Sequence, residues 1–287
     1  MNVLFDMETG DPDDAVTLCF LIAHPAISLR AVTVTPGTDE QIGLVRHILK
    51  QTEHDEIPVG SYRPHYDKDC VSIYYRRWLG NFESTSPDDD GHQIIRQTLD
   101  KYPDLTILTG APLTNFGSLE VTQPIHRWVA QGGFAGNNVV PPSYRLPKFD
   151  GMLFCPTYNF NGGPKQALKM LNEIPIDERI LVSKNVCHGV VYDQEFHKLL
   201  ETRRDLHPGY ELIYEGMDLY LAKKPAGKKF HDPLAACVAI DQSICIFKEV
   251  KLLRKGGKWG SEPATGTNTF ISIYADQDKF RQTFLQL

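Results

Sequence analysis

The sequence predicts a single-domain α/β fold, a mostly parallel central sheet with helices on both faces. Three observations carry that prediction. Short apolar runs fit for buried strands alternate with helical patterns along the chain. Polar turns follow several of these runs: DMETGDPDD at 6–14, TGAPLTN at 109–115 and GGFAGNN at 132–138. No internal repeat, low-complexity tract or composition break divides the 287 residues.

Residues 2–5 (NVLF) read as a buried strand, and Ala15 to Ala23 (AVTLCFLIA) as an apolar helix whose N-terminal charge comes from Asp13 and Asp14. Leu29 to Val34 forms the next strand, followed by PGTDE and a helical pattern from about Gln41 to Gln51. Leu105 to Leu108 is a strand, with a helix from about Asn115, and HRWVAQ is a strand closed by Gly132-Gly133. Further strands are expected at Arg179 to Val182 and Thr269 to Tyr274. Residues 60–91, with Pro64, Pro87 and Asp88 to Asp90, and residues 134–164 stay irregular, which in a compact domain marks function or mobility. Open parallel sheets bind ligands beyond the carboxyl ends of their strands, so the three polar turns are expected to share one rim.

A hydrophobic content of 41% supplies a substantial core. The net charge of -6 excludes a general basic field, and with it nucleic acid or an anionic membrane as the expected partner. Six cysteines without CxxC spacing read as free thiols in a reducing compartment. With no secretory leader and no apolar stretch near the roughly 18 residues of a membrane span, the expected location is cytoplasmic.

Residues 6–14 hold five carboxylates: Asp6, Glu8, Asp11, Asp13 and Asp14. Like charges a few ångströms apart repel by roughly 1 kcal/mol in water and more as the dielectric falls, so the cluster needs a cation, protons or separation. Helix capping would use one or two of the five. A phosphate cradle fails on charge and on glycine spacing, and an EF-hand fails on its glycine and terminal glutamate. A hard divalent cation, Ca²⁺ or Mg²⁺, remains, and it requires distant oxygen donors. HDPLA at 231–235 offers Asp232, which also reads as a helix cap before Pro233.

DMETGDPDDA, TGAPLTN, GGFAGNNVVP with TYNFNGGP (157–164), and HDPLA occur in that order over nearly the whole chain. Together they resemble the inosine-uridine preferring nucleoside hydrolases, calcium-dependent enzymes that cleave the N-glycosidic bond of ribonucleosides. The resemblance implies the fold of that family, Ca²⁺ as cofactor, a small-molecule nucleoside as partner and a homodimer or homotetramer. Position by position, it implies Glu8, Asp14, the Thr109 carbonyl and Asp232 as metal ligands, and Asp13, Asn138 and Asn159 as ribose contacts. It sets His231 beside the leaving base. Glu8 is the first choice for general base and Asp11 the second, because the loop carries one residue more than the family pattern and a glutamate where the pattern has Asp.

The turn TGAPLTN also gains a residue, and Thr38 stands for an expected Asn. Thr157 replaces the glutamate that in the family faces the ribose 5′ end. Without that carboxylate, and with Arg145 and Lys148 in the inserted loop 142–155, a 5′-substituted or base-modified nucleoside is the expected substrate. Two rival readings stand beside this one: an aspartate-nucleophile phosphohydrolase using Asp6 and Mg²⁺, and a ribose- or Ca²⁺-binding homologue altered in catalysis. Cys187-His188 could suggest a thiolate nucleophile but lacks an orienting partner, so packing is the better reading. His24, His47 and His126 read as ordinary histidines, and Tyr74, Tyr75 and Trp78 as aromatics able either to stack on a base or to pack.

Overall fold

β1 (Asn2–Met7) lies inside the molecule because both of its faces are apolar. Val3, Phe5 and Met7 enter one hydrophobic cluster and Leu4 the other, all fully buried. Strand alternation sets Asp6 on the Leu4 side. The structure, a computed structural model, describes residues 1–62 and 69–286. Pro64, in the first irregular stretch, lies outside the described residues.

β2 (Ser28–Val34), β3 (Val59–Ser61) and β4 (Asp89–Asp90) extend the sheet to one side of β1, and β5 (Thr106–Thr109), β6 (Ile125–Gln131) and β7 (Ile176–Val182) to the other. β8 (Val191–Tyr192) and β9 (Lys228–Lys229) form a separate antiparallel ribbon. β10 (Cys245–Lys255), β11 (Lys258–Pro263) and β12 (Thr269–Ala275) complete the sheet, whose order is β11-β10-β12-β7-β6-β5-β1-β2-β3-β4. Every neighbouring pair from β12 to β4 is parallel, and β10 is antiparallel to both of its neighbours.

The sequence reading left the β10–β11 hairpin unassigned. Its lysine-rich strands suit a sheet edge, and its two-residue turn Gly256-Gly257 takes positive φ at both positions, 55° and 73°, as such hairpins require.

α1 (Pro12–Ala23) starts at Asp11 with proline in its first turn, and every residue from Asp13 to Ala23 is buried. It is apolar all round because the helices Pro208–Lys223 and Asp232–Ile240 cover it. Its docking therefore takes the Asp13 and Asp14 carboxylates out of water. None of the described helices is long and apolar enough to cross a membrane.

Both irregular stretches contain short helices. In the first, Ile73–Leu79 buries Tyr75 and Trp78; the Tyr75 hydroxyl donates to the Asp11 carbonyl at 2.8 Å and the Trp78 indole to the Leu212 carbonyl at 2.7 Å. Tyr75 thus holds the acidic loop, and Trp78 packs on the helix Pro208–Lys223. In the second, Tyr158–Gly162 is a one-turn helix, and Cys155 pairs with Trp259 of β11 through two backbone hydrogen bonds of 2.9 Å. Thr38 caps the helix Asp39–Gln51 in a reciprocal capping box with Gln41.

Candidate active site

β6, β5 and β1 are adjacent in the sheet, so the chain leaving their carboxyl ends meets at one place. Gln131, Gly110 and Glu8 stand there, lining a cavity of about 390 Å³. The first turn of α1 adds Asp13 and Asp14, and the start of the helix Asp232–Ile240 adds His231 and Asp232.

Asp13, Asp14 and Asp232 each present a carboxylate oxygen within 4.8 Å of the other two, and all three are buried. Backbone donors fix two of them. Glu8 N–H reaches Asp14 Oδ1 at 2.9 Å, and His231 N–H reaches Asp13 Oδ2 at 3.1 Å. Asp232 Oδ1 is buried without a hydrogen-bond partner. A Cβ on Gly110 would come within 2.8 Å of that oxygen and 3.4 Å of Asp14 Oδ1, so glycine is what leaves room in front of the carboxylates. Burial first, and then repulsion from Asp232 on Asp14 and from Asp13 on Asp232, the latter opposed by Lys228, drive the carboxyl groups of Asp14 and Asp232 well above the ordinary range. Three converging carboxylates, one oxygen unpartnered and a cleared space beside it fit a hard divalent cation.

Lys228 reaches the site from β9. Its buried ammonium lies 3.1 Å from Asp11 Oδ1 and 3.2 Å from Asp13 Oδ1. Burial alone would depress it, but attraction to Asp13 and Asp11 outweighs the burial and holds it above its usual value, so it stays charged. Its sequence neighbourhood, KKPAGKKF, reads as solvated. The signal that could have revealed it is the charge problem itself, since a buried lysine answers part of the need assigned entirely to a metal.

Glu8 stands at the mouth, outside the carboxylate trio expected to include it. Its side chain folds back over Gly10, with Oε1 3.3 Å from where a Cβ would sit there, and its Oε2 accepts the Tyr158 hydroxyl at 3.2 Å. Burial, opposed by that hydrogen bond and reinforced by Asp13 and Asp11, raises its carboxyl to about 7. Asp11 is more exposed and engaged by Lys228; burial and Asp13 push its carboxyl up, and Lys228 opposes them.

The cavity thus brings together seven of the expected residues: Glu8, Asp11, Asp13, Asp14, Asn159, His231 and Asp232. Asn159 donates to Gln131 Oε1 at 2.8 Å and to the Gln131 carbonyl at 3.0 Å. Thr109 precedes Gly110, and its hydroxyl accepts from the Trp128 indole at 3.1 Å. Asn138 is not brought in. It is exposed beyond the Gly136 turn, where φ is 78°, and its amide donates to the Ser261 carbonyl at 2.6 Å.

Thr157 is buried, its hydroxyl unpartnered, and it lines a neighbouring cleft of about 690 Å³ that shares Glu8 and Tyr158 with the acidic cavity. The sequence reading did not single out Tyr158, Gln131 or Gly110. Arg145 does not approach Thr157 as expected, because its guanidinium donates to the carbonyls of Val140 and Asn137 and pairs with Asp150 at 3.6 Å.

Asp6, the nucleophile of the phosphohydrolase reading, faces away from the cavity and accepts from Thr33 and Asn115, both at 2.7 Å. Burial lifts it to about 7 in spite of those bonds. Cys187 is buried, its thiol pushed up to about 12 by burial, which removes the thiolate alternative. The His231 imidazole is lowered to about 4, by burial first and then by Lys228, so it is neutral at ordinary pH.

Comparison with known proteins adds the remaining findings. The family described as inosine-uridine preferring nucleoside hydrolase matches residues 3–282. A relative from Aquifex aeolicus (strain VF5), described as an uncharacterized protein, is 28% identical over 98% of this chain and 97% of its own. Among solved structures, a plant nucleoside hydrolase, PpNRh1, superposes with a TM-score of 0.72 at 17% identity, covering 99% of this chain and 98% of that one. A purine-preferring ribonucleoside hydrolase from Gardnerella vaginalis gives 0.72 at 16%, covering 99% and 97%. An inosine-uridine preferring nucleoside hydrolase from Bacillus anthracis gives 0.70 at 18%, covering 99% and 98%. At these identities the superpositions establish the fold.

The protein is therefore a hydrolase acting on N-glycosyl bonds. More particularly, the chain belongs to the inosine-uridine preferring nucleoside hydrolase family, as a divergent member.

Proposed function

We propose that the protein hydrolyses the N-glycosidic bond of a ribonucleoside to free base and ribose, with Ca²⁺ held by Asp14, Asp232 and the Thr109 carbonyl. The observation that carries this reading is the trio Asp13, Asp14 and Asp232 with its unpartnered oxygen in front of Gly110. A bound Ca²⁺ would supply a hard Lewis acid that orients a vicinal diol and acidifies a water. Asp13 also carries the ribose contact in this reading, and Asn159, fixed by Gln131, holds a second hydroxyl.

Glu8 is the general base. A carboxyl near 7 is well matched to take a proton at neutral pH, and Glu8 lines the acidic cavity. In the step, water oxygen bonds to C1′ and its proton passes to Glu8 as the C1′–N bond breaks. The electron pair leaves on the base, which then takes up a proton. His231, neutral at ordinary pH, serves the leaving base as a hydrogen-bonding imidazole, directly or through a water.

Thr157 and the 690 Å³ cleft behind Glu8 and Tyr158 support a substrate other than a plain nucleoside, either substituted at the 5′ end or modified on the base. One observation favours the altered, non-catalytic homologue: the Lys228 ammonium sits against two carboxylates of the proposed machinery. Release of free ribose from a panel of nucleosides, with and without a chelator, tests both readings. Chelator-sensitive ribose release supports the hydrolase, and tight nucleoside binding without release supports the altered homologue.

A further inference from the structure

At the His231 end of the acidic cavity two histidines and two lysines lie together, and the proposed chemistry leaves most of them unused. The His188 and His231 rings are 5.1 Å apart, and the His188 ring stands edge-on against Phe149. His188 Nδ1 has two ammonium neighbours, Lys148 Nζ at 3.3 Å and Lys229 Nζ at 3.2 Å. An imidazole nitrogen offers one lone pair, so the two compete for a single acceptor. Both lie on the same atom, so they stand within about 6.5 Å of each other, close enough to repel. A third lysine, Lys184, lines the larger cleft with Thr157 and donates to the Pro156 carbonyl at 2.9 Å.

Among the described residues, no carboxylate pairs with any of these three lysines. The acids in the neighbourhood are engaged elsewhere: Asp11 and Asp13 by Lys228, and Asp150 by Arg145. The site is consequently polarised. Carboxylates converge at one end of it and unneutralised ammonium groups at the other. A molecule that suits both ends has a diol or similar oxygens at one extremity and a negative charge at the other.

We propose that Lys148 and Lys229, which share His188 Nδ1, form a subsite for an anionic group on the leaving base. The substrate class is then a ribonucleoside whose base carries a carboxylate or a comparable negative substituent. The inference rests on the hydrolase reading for its orientation, because there His231 attends the base. It narrows the choice between a modified base and a substituted 5′ end to the base. It also gives Lys148 a role beside His188, while Arg145, its neighbour in the inserted loop, is engaged by Val140, Asn137 and Asp150.

The test compares kcat/KM for uridine, uridine carrying a carboxylate on the pyrimidine ring, and uridine 5′-monophosphate. The full chain is used as wild type, as Lys148→Gln with Lys229→Gln, and as Lys148→Arg with Lys229→Arg. The carboxylated nucleoside should exceed uridine by about tenfold or more in the wild type. That ratio should fall towards one in the Gln pair, survive in the Arg pair and narrow as salt rises. A wild-type ratio at or below one, a ratio the Gln pair leaves intact, or a larger advantage for the 5′-monophosphate overturns the subsite.

Calorimetry with uracil and uracil carboxylate separates this inference from the hydrolase reading. If no nucleoside is cleaved but the carboxylated base binds tighter and loses that advantage in the Gln pair, the subsite stands and the hydrolase reading fails. Equal binding of the two bases overturns the subsite whether or not anything is cleaved.

Discussion

The loop between β1 and α1 and the segment between β6 and the helix Pro164–Asn172 meet at one cavity, yet they are held in opposite ways. In the first, backbone N–H groups just outside regular elements fix the side chains: Glu8 N–H, past the end of β1, on Asp14, and His231 N–H, before the helix Asp232–Ile240, on Asp13, while the start of α1 sets Asp13 and Asp14 side by side. In the second, contacts from remote parts of the chain fix the path. Asn138 holds Ser261, Cys155 pairs with Trp259, and Asn161 donates to the Gly257 carbonyl at 2.7 Å. The carboxylates are therefore held by backbone N–H groups at the ends of elements, one of them 218 residues away, and the path of the second region by the β10–β11 hairpin. Changes in the first region should affect every substrate alike, and changes in the second should re-rank substrates.

The largest effect belongs to the carboxylate trio. Asp14→Ala and Asp232→Ala should each abolish tight Ca²⁺ binding while leaving a folded protein, as read by calorimetry and circular dichroism. Unchanged affinity in Asp232→Ala would show that the two ends of the chain do not share a site. Next, Glu8→Gln should lower turnover on the order of 10²-fold for all substrates, the usual cost of a lost general base. Asp11→Asn should cost less, because Asp11 is more exposed and faces Lys228. The reverse order would move the base to Asp11.

In the second region, Thr157→Glu should leave the cation affinity as it was and cut kcat/KM for a 5′-anionic or bulky 5′-substituted nucleoside by about tenfold relative to the plain nucleoside. If both fall together, the region acts on the fold and not on selection.

The last effect is on stability and not on activity, and it lies at the root of the first region, where Asp6 faces away from the cavity. Its folded value of about 7 exceeds an unfolded value near 4, so its contribution is fully retained below about pH 4 and lost as pH rises through 7. Asp6→Asn should raise stability by up to about 4 kcal/mol at pH 8 and by little at pH 4. Denaturant titrations at the two pH values read the difference, and an equal change at both would remove ionisation of Asp6 as the cause.

The same contrast explains what was legible in the sequence. β1, α1, β2 and the later parallel strands announce themselves because their apolar runs are local signals, and DPDDA and HDPLA are short enough to carry their own geometry. Lys228 was not legible. It differs from Lys229 only in pointing inward from a two-residue strand, and that strand exists only by pairing with β8. Asn138 and Arg145 were misplaced for the same kind of reason, since Ser261, on another strand, and the loop's own carbonyls decide where they point. Glu8 was found but assigned to the cation as well as to the water, and only Tyr158, donated by the second region, shows which way its carboxylate turns.

Asp13 and His231 are 218 residues apart and hydrogen-bonded. On the ribosome, at about 5–20 residues per second, the acidic loop is made roughly ten seconds or more before Lys228 and Asp232 exist. Throughout that interval α1 carries two carboxylates with neither their lysine nor the third member of their trio, and burying it would be unfavourable. The nascent chain must keep its own second element in water until Lys228 and Asp232 have been made, and a product truncated before Lys228 would keep it there permanently, marked for proteolysis by an undocked apolar helix.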